Sequence, residues 1–369
     1  MRTVWIVQPY VPRYRVALFE GLMARLRTDG VQLRVAAGRA NDSHASDRGD
    51  EVRPAWLEDV EWTHLGRARI SHARRLYRGA DAVIFPHEAS NAEVLAALVG
   101  RALGGSTRIG LWGHIRTYVN DPNPLAVGIE RWQLRHADGV FAYTAGGARF
   151  ARDAGVPAEK IVTLNNTVDT VALRSAIEAL DGGAVRDFQA RHGLVPAQTI
   201  AYIGGLDESK RIDMLADALD VLWESQPEVR LVVGGQGCSA DLLDRAQARG
   251  QVVRLGYADA QLKALIAATA RLIVNPGRIG LLAVDALVMG LPLVTTPWPY
   301  HAPEIEYLDE GRTVYTSADD ARSFARLVST LLTDGHPRAA GSTSNEAPEL
   351  GDLVARFADG ILGMLVQRV

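Results

Sequence analysis

The stretch Asn275-Pro-Gly-Arg-Ile-Gly-Leu-Leu-Ala-Val-Asp-Ala-Leu-Val-Met-Gly-Leu-Pro-Leu-Val-Thr-Thr296 contains a turn, a helix and a buried strand in that order. Asn-Pro-Gly ends the apolar run 272–274, and the good helix formers that follow stop at Gly-Leu-Pro. Gly280 and Leu281 are therefore expected at or near the helix N-terminus, where free N–H groups and the helix dipole stabilise an anion without any lysine. The stretch predicts a phosphate-ester site, with Asp285 about one turn further on, on a face suited to ribose hydroxyls.

Short apolar runs alternate with longer helical patterns along the whole chain. We predict strands at 4–7, 32–36, 82–85, 107–111, 139–143, 161–164, 199–203, 230–233, 252–255, 271–274, 293–296 and 313–315. Each run is nearly continuously apolar, which is typical of parallel sheets buried on both faces. We therefore predict an α/β protein with two doubly wound parallel sheets, whose ligands bind outside the carboxyl ends of the strands.

The stretch 275–296 resembles the donor-site signature of family 4 glycosyltransferases, which have the GT-B fold. That signature has two Glu residues eight positions apart around an aromatic-Gly-Leu core. In this chain Ile279 stands at the aromatic position and Gly280-Leu281 form the core, while Asp285 replaces the second Glu and Gly277 the first. The paired-carboxylate motif is half lost, and the residue after the lost carboxylate is a cation.

Other segments resemble the same family and follow in its order. They are 137–169, 202–215, 231–237, 253–257 and 300–311. The segment 202–215 resembles the loop that binds the donor diphosphate: Lys210 is kept, Gly205 stands at the usual Arg position, and Arg211 is a candidate substitute for that Arg.

The resemblance implies a GT-B enzyme of two Rossmann-like domains that face a cleft. Residues 1–169 would form an acceptor-binding domain and residues 170–335 a donor-binding domain, with a break at Gly182-Gly183 in the segment that joins them. Residues 336–369 would be a linker and a C-terminal helix that returns to the first domain. From residue 334 to residue 348 the chain is rich in helix breakers and predicts a connector, and Leu350–Val366 predicts an amphipathic helix.

The resemblance also assigns roles to single residues. Catalytic roles fall on His114, Lys210 and Asp285. The implied donor-binding residues are Gly204, Gly205, Lys210, Arg211, Gly237, Tyr257, Gly277, Arg278, Ile279, Gly280, Leu281 and Asp285. The implied acceptor-binding residues are Tyr10, Arg13, Tyr14, Arg15, His87, Glu88 and His114.

Each of these residues also has an ordinary structural interpretation. The segment around Tyr10 could be a surface turn directed by its prolines, and a lone histidine such as His114 is more often a structural hydrogen-bonding group. Lys210 and Arg211 could belong to a solvated helix start, and Gly237 to a tight turn. The place of these residues in an ordered set of motifs favours the functional interpretation for His114 and Lys210.

The implied chemistry needs a nucleotide sugar as co-substrate, UDP-, GDP- or dTDP-linked, and no other cofactor. Charge that develops on the departing diphosphate would be stabilised by Lys210 and by the N–H groups near Gly280. A metal is then unnecessary, and no Asp-x-Asp motif follows an apolar strand. The resembled family retains the anomeric configuration of the sugar.

Composition limits the class of protein and its partners. The chain has 369 residues, 47% of them hydrophobic, and one cysteine, Cys238, which rules out an internal disulfide. Residues 1–169 carry 22 Lys and Arg against 18 Asp and Glu, an excess suited to an anionic acceptor or membrane surface, although chance scatter explains it equally well. We expect no nucleic-acid partner. Without a signal segment or spanning run, we expect a cytoplasmic protein, with peripheral contact at the inner membrane face as an option.

Three classes of function remain open at this stage. The first is a glycosyltransferase that acts on a glycan, lipid-linked or small-molecule acceptor, in polysaccharide or natural-product biosynthesis. The second is a GT-B sugar-nucleotide epimerase or hydrolase, which would act without an acceptor. The third is a binding subunit with weak catalysis, which the losses at Gly277 and Gly205 would allow.

Overall fold

The computed structural model describes residues 1–40, 50–66, 68–116, 123–333 and 347–366. These residues divide into two compact units, each with its own sheet. Unit 1 contains residues 1–40, 50–166 and 349–366, and unit 2 contains residues 167–333 and 347–348, apart from the undescribed positions. The C-terminal helix thus belongs to the same unit as the first strand.

Unit 1 is built on a parallel sheet in the order β3-β2-β1-β6-β7-β8-β9. Its strands are β1 Arg2–Gln8, β2 Val31–Ala37, β3 Leu57–Asp59, β6 Ala82–Pro86, β7 Arg108–Gly113, β8 Gly139–Ala142 and β9 Ile161–Thr163. A small antiparallel pair, β4 Thr63–Leu65 and β5 Ala68–Ile70, lies between β3 and β6 in the sequence. The central strands are buried because they are apolar on both faces.

Helices cover both faces of this sheet. The helices of unit 1 are Val16–Thr28, Arg74–Tyr77, Ala92–Ala102, Pro124–His136, Ala145–Asp153 and Leu350–Val366. The C-terminal helix buries Phe357, Ile361 and Met364 in the same core as Phe19 and Trp112. Full burial of side chains of this size contributes roughly 1.5–3 kcal/mol each, so this helix is an integral part of the core of unit 1.

Unit 2 has a parallel sheet in the order β12-β11-β10-β13-β14-β15. Its strands are β10 Thr199–Ile203, β11 Arg230–Gly234, β12 Val252–Arg254, β13 Leu272–Val274, β14 Leu293–Thr295 and β15 Val314–Thr316. Its helices are Thr170–Glu178, Gly182–His192, Ile212–Ser225, Asp244–Ala248, Ala260–Thr269, Leu282–Met289 and Ala321–Thr333. The predicted α/β class with two parallel sheets is confirmed.

The segment that joins the two sheets differs locally from the prediction. The predicted break at Gly182-Gly183 is wrong by a few residues: these glycines open the helix Gly182–His192, and Asp181 caps it by accepting from the N–H of Ala184 at 3.0 Å. The helix before it ends at Glu178. Most of the predicted connector, residues 334–346, lies outside the described residues.

Candidate functional site

Four loops follow neighbouring strands at the carboxyl edge of the unit 2 sheet. The loops after β10 and β11 touch through their backbones: the N–H of Leu206 donates to Gln236 O at 2.9 Å, and that of Gly204 to Gly234 O at 3.1 Å. A Cβ on Gly237 would lie 2.3 Å from Leu206 O, so no side chain fits there. The glycines of this turn are therefore required by the close approach of two loops, whatever else they do.

The loop after β13 is held against the loop after β10. The N–H of Arg278 donates to Ser209 O at 2.8 Å. A Cβ built on Gly277 would lie 2.4 Å from the carbonyl carbon of Lys210 and 2.5 Å from Ser209 O. The space that a carboxylate side chain would need at Gly277 is thus filled by the backbone of residues 209–210.

A hydrogen-bonded network fixes the turn between β13 and the helix Leu282–Met289. The Lys210 ammonium donates to the carbonyl of Arg278, and the Arg278 guanidinium donates to Tyr300 O at 3.1 Å. Asn275, which is fully buried, accepts from the N–H of Gly277 at 3.1 Å. Lys210 and Arg278 therefore lie at the same turn.

His301 connects this turn to the end of β14. Its Nδ1 accepts from the N–H of Ile279 at 3.1 Å, and its Nε2 lies 2.9 Å from Thr296 O. Because Nδ1 is an acceptor, the proton sits on Nε2 and the ring is neutral. Burial lowers the pKa of His301, the hydrogen bond to Thr296 opposes this shift, and the charges of Lys210 and Arg278 lower the pKa further.

The start of the helix Leu282–Met289 offers backbone donors. The N–H groups of residues 277, 278 and 279 are all bonded within the protein. Within the described ranges, the N–H groups of Gly280, Leu281 and Leu282 form no hydrogen bond, while the carbonyls of Gly280 and Leu281 already accept helical bonds. Three consecutive free donors at the positive end of a helix have the geometry that suits an anion.

The other predicted donor residues have different surroundings. Arg211 opens the helix Ile212–Ser225 with φ +55°, donates to Thr296 Oγ1 at 3.2 Å, pairs with Asp319 and stacks on Trp298. Gly205 accepts from the Tyr202 hydroxyl. Tyr257, after β12, is 52% exposed.

Asp285 lies in the first turn of the helix Leu282–Met289 and is buried. Its Oδ2 accepts from the ammonium of Lys263 at 2.7 Å. Lys263 belongs to the helix Ala260–Thr269, 22 residues earlier in the chain. No sequence pattern predicts this ion pair.

In unit 1 a predicted acceptor arginine lies in an aromatic cluster. Arg15 is buried, donates to the Tyr143 hydroxyl, and stacks 4.6 Å from the ring of Trp112. The ring of His114 meets that of Tyr143 edge-on at 5.0 Å between centroids. Tyr143 thus contacts both Arg15 and His114. The neighbouring predictions Arg13 and Tyr14 are exposed, and Tyr10 is half-buried.

The backbone around His114 has an unusual conformation. Gly113 has φ +143° and Ile115 has φ +65°, which is rare for a β-branched residue. Strained residues of this kind persist where the surrounding structure fixes them, and they cluster at functional sites. This observation supports a functional interpretation of the loop after β7.

His87 and Glu88 follow β6 but face different surroundings. His87 is half-buried, its Nε2 lies 3.3 Å from Glu130 O, and desolvation lowers its pKa from 6.5 to about 4. Glu88 accepts from the Arg69 guanidinium at 3.2 Å. The structure therefore gives His87 a neutral, structural environment, and places Glu88 in an ion pair.

Sequence reasoning missed four residues of these sites: Lys263, His301, Trp112 and Tyr143. Trp112 and Tyr143 sit at the ends of apolar strands and resemble ordinary core residues. His301 lies in a motif that was recognised, and Lys263 is one of three lysines in the chain. No sequence pattern predicts the contacts of Lys263 and His301, because each contact joins residues that are 22 positions apart in the chain.

Two kinds of feature are absent from the described ranges. No three His, Cys, Asp or Glu side chains there are grouped so that they could hold a metal ion. No helix there combines the length and the apolar character that crossing a bilayer requires.

Comparison with known proteins agrees with this architecture. A solved glycosyltransferase from Rickettsia africae has a TM-score of 0.69 and 11% identity, covering 100% of this chain and 99% of that one. The Anabaena protein HepE in complex with UDP has a TM-score of 0.65 and 13% identity, covering 98% and 100%. A putative UDP-N-acetylglucosamine 2-epimerase from Listeria monocytogenes has a TM-score of 0.63 and 14% identity, covering 97% and 95%. At these identities the likeness establishes the fold alone.

Sequence families give the more specific assignment. No curated protein matches the chain. The family model described as glycosyl transferases group 1 matches residues 197–334, and the model described as a glycosyl transferase 4-like domain matches residues 17–167. Because these two models account for most of the chain, it belongs to the group 1, family 4 glycosyltransferases of the GT-B type.

Proposed function

We propose that this glycosyltransferase uses a nucleotide sugar as its donor and that unit 2 binds it. The observation that carries the proposal is the row of N–H groups at Gly280, Leu281 and Leu282, which have no partner in the described chain. The diphosphate of the donor is an anion of the kind that a helix N-terminus binds. The ammonium of Lys210 lies at the same turn and adds a positive charge.

This arrangement suits the chemistry of glycosyl transfer. When the bond between C1 of the sugar and the diphosphate oxygen breaks, negative charge builds on the departing diphosphate. The acceptor hydroxyl forms the new bond to C1 and gives up its proton to the departing diphosphate. Donors that are already oriented stabilise this charge without reorganisation. Lys210 and the three N–H groups serve this purpose without a metal, and we propose retention of the anomeric configuration by analogy with the family.

We assign the acceptor to the loops of unit 1. Arg15, Tyr143 and His114 are in contact at the carboxyl ends of β1, β7 and β8. An arginine beside aromatic rings suits a sugar carried on a phosphate, because it combines stacking with charge-assisted hydrogen bonds. The proposed acceptor is a glycan, a lipid-linked sugar or a small molecule, in polysaccharide or natural-product biosynthesis, on the cytoplasmic side of the membrane.

Under this proposal the chain has an acceptor-binding domain at 1–169, a donor-binding domain at 170–335 and a C-terminal segment at 336–369. Two alternatives differ in a measurable way. An epimerase or hydrolase would convert a nucleotide sugar with no acceptor present. A weak binding subunit, which the absence of side chains at Gly277 and Gly205 would favour, would bind nucleotides poorly.

The first test is calorimetric titration of the protein with UDP, GDP, dTDP, ADP and CMP. We expect one base to be preferred, with a dissociation constant in the micromolar range, about −8 kcal/mol. Lys210→Met should weaken binding at least about tenfold, because it removes a charged contact to the diphosphate. Lys160→Met is the matched control, since Lys160 also donates to a backbone carbonyl, that of Ala137 at 3.2 Å, but in unit 1.

A second measurement separates the classes of function. The sugar nucleotide of the preferred base is incubated with the protein alone, and its products are identified by mass spectrometry and proton NMR. Rapid epimerisation or hydrolysis would contradict a transferase. Failure to bind any of the nucleotides would overturn the nucleotide-sugar proposal and favour a scaffold without donor binding.

A further inference from the structure

His301 holds the turn between β13 and the helix Leu282–Met289, although it lies on a different loop, the one after β14. Its Nδ1 accepts from the N–H of Ile279 at 3.1 Å, and its Nε2–H donates to Thr296 O at 2.9 Å. Thr296 O also accepts from the N–H of Trp298 at 2.7 Å, so that carbonyl keeps a donor without the histidine. The contact that links the ring to the turn is therefore the one made by Nδ1.

The peptide group between Arg278 and Ile279 is held at both of its ends. Its N–H donates to His301, and its C=O accepts from the Lys210 ammonium and from the amide of Asn275 at 3.3 Å. This peptide is trans, so it is planar and its C=O and N–H are directed to opposite sides. His301 and Lys210 thus hold opposite sides of one rigid group. If His301 released the N–H, the group could rotate and carry the carbonyl away from Lys210.

The next peptide group is fixed in a different way. The C=O of Ile279 accepts from the N–H of Ala302 at 2.7 Å, so the N–H of Gly280 is directed to the opposite side. This anchor is made by the backbone and does not need the imidazole ring. The side chain of His301 therefore controls the direction of the Arg278 carbonyl, and the free N–H of Gly280 is set independently of it.

We propose that His301 is a positioning residue for donor binding: by accepting from the N–H of Ile279, it directs the carbonyl of Arg278 at Lys210 and so sets the place of the ammonium that meets the diphosphate. This inference rests on the proposed function. His301 makes no contact with the ligand in it, and its effect on binding passes through Lys210.

Two substitutions separate the two nitrogens of the ring. His301→Asn places an amide oxygen where Nδ1 stands, so it keeps the acceptor for Ile279 and loses the contact with Thr296. His301→Gln keeps a donor for Thr296 O and loses the acceptor for Ile279. Both variants are titrated calorimetrically with UDP, GDP, dTDP, ADP and CMP. For the preferred nucleotide, the Asn variant should bind within about twofold of wild type and the Gln variant at least about threefold more weakly, because one hydrogen bond is lost.

Thermal melting in parallel distinguishes positioning from a merely structural role. A structural histidine would lower the melting temperature of both variants and leave their affinities unchanged. The control is His192→Gln, at a half-buried histidine of unit 2 whose ring meets that of Phe188 at 5.0 Å, and it should keep the wild-type affinity.

Two results would overturn the inference and leave the proposed function standing. One is wild-type affinity in the folded Gln variant, and the other is weakened binding by the folded Asn variant. Binding of none of the nucleotides by the wild-type protein would overturn the proposed function, and the inference with it.

A double-mutant cycle with Lys210→Met tests the route through the lysine. His301→Gln should weaken binding at least about threefold in the wild-type background, but less than about 1.5-fold when Lys210 is already replaced, because residues that act through one contact are not additive. All four proteins are titrated with the preferred nucleotide at a temperature at which each is folded. Effects that simply multiply would show that His301 does not act through Lys210, and would overturn the proposal.

Discussion

Gly277 lies where two loops approach so closely that no side chain fits. Replacing it by alanine should destabilise unit 2 by about 1–3 kcal/mol, because the new Cβ would lie 2.4 Å from the carbonyl carbon of Lys210 and force the two loops apart. Glutamate, which would restore the family carboxylate, should do at least as much harm and should not improve nucleotide binding. Thermal and urea unfolding measure the effect.

A matched control for this prediction is Gly182→Ala, also in unit 2. The nearest atom to a Cβ at Gly182 is a guanidinium nitrogen at 3.7 Å, an ordinary contact. This substitution should be neutral or mildly stabilising, since alanine restricts the unfolded chain. Equal unfolding midpoints for wild type and Gly277→Ala would show that the loops separate easily, contrary to the packing described above.

His87 should make the stability of unit 1 depend on pH. Its pKa in the folded protein is about 4, below the ordinary 6.5, because burial disfavours the charged ring. The folded state then binds fewer protons than the unfolded state between these values. The stabilisation is complete above pH 6.5 and falls by roughly 3 kcal/mol as the pH decreases toward 4.

The measurement is the urea-unfolding free energy from pH 4 to pH 8 for wild type and His87→Gln. Glutamine keeps a donor for the carbonyl of Glu130, so the variant should fold and show a shallower decline below pH 6.5. His136→Gln, at an exposed histidine of the same unit, should keep the wild-type slope. Parallel profiles for wild type and His87→Gln would refute the assignment.

Among the elements, the C-terminal helix has two glycines with opposite surroundings, so it allows its packing to be tested. A Cβ on Gly360 would lie 2.7 Å from Val162 Cγ2 and 2.8 Å from Phe141 Cε1, whereas a Cβ on Gly363 meets nothing within 4 Å. Gly360→Ala should therefore lower the stability of unit 1 by about 1–3 kcal/mol. Gly363→Ala should raise it by about 0.5–1 kcal/mol, because alanine favours the helix.

These opposite signs come from the same substitution on one helix, so helix propensity cannot explain the difference. Differential scanning calorimetry of the two variants measures it. If both variants were stabilised, the helix would be free to move away from β8 and β9, and the close packing of Gly360 would carry no energetic weight.

The elements themselves were largely readable from the sequence, and the exceptions have a physical reason. Strands such as Thr199–Ile203 were predicted because five consecutive apolar or β-branched residues are recognisable. Leu57–Asp59, Thr63–Leu65 and Ala68–Ile70 were missed, because three residues of mixed polarity show no periodicity. The helix start near Gly280 was predicted by turn chemistry. The contacts of Lys263 and His301 are tertiary contacts, and no local sequence pattern predicts them.

At the scale of the whole molecule, the proposed function predicts where a nucleotide acts. The preferred nucleoside diphosphate, at about one hundred times its dissociation constant, should stabilise the state that binds it by roughly 2.7 kcal/mol. Amide hydrogen exchange followed by mass spectrometry should then show slower exchange in unit 2, centred on residues 204–211 and 276–282. These segments contain the turn that carries Lys210 and the free N–H groups.

The distribution of this protection distinguishes the two units. Lys210→Met should abolish the protection at a nucleotide concentration that still protects the Lys160→Met protein, because the matched lysine lies in unit 1 and donates to Ala137. Protection centred instead on residues 8–15 and 113–116 would place the nucleotide on the loops around Arg15 and His114. The donor would then bind to the unit assigned to the acceptor, and the roles of the two units would have to be exchanged.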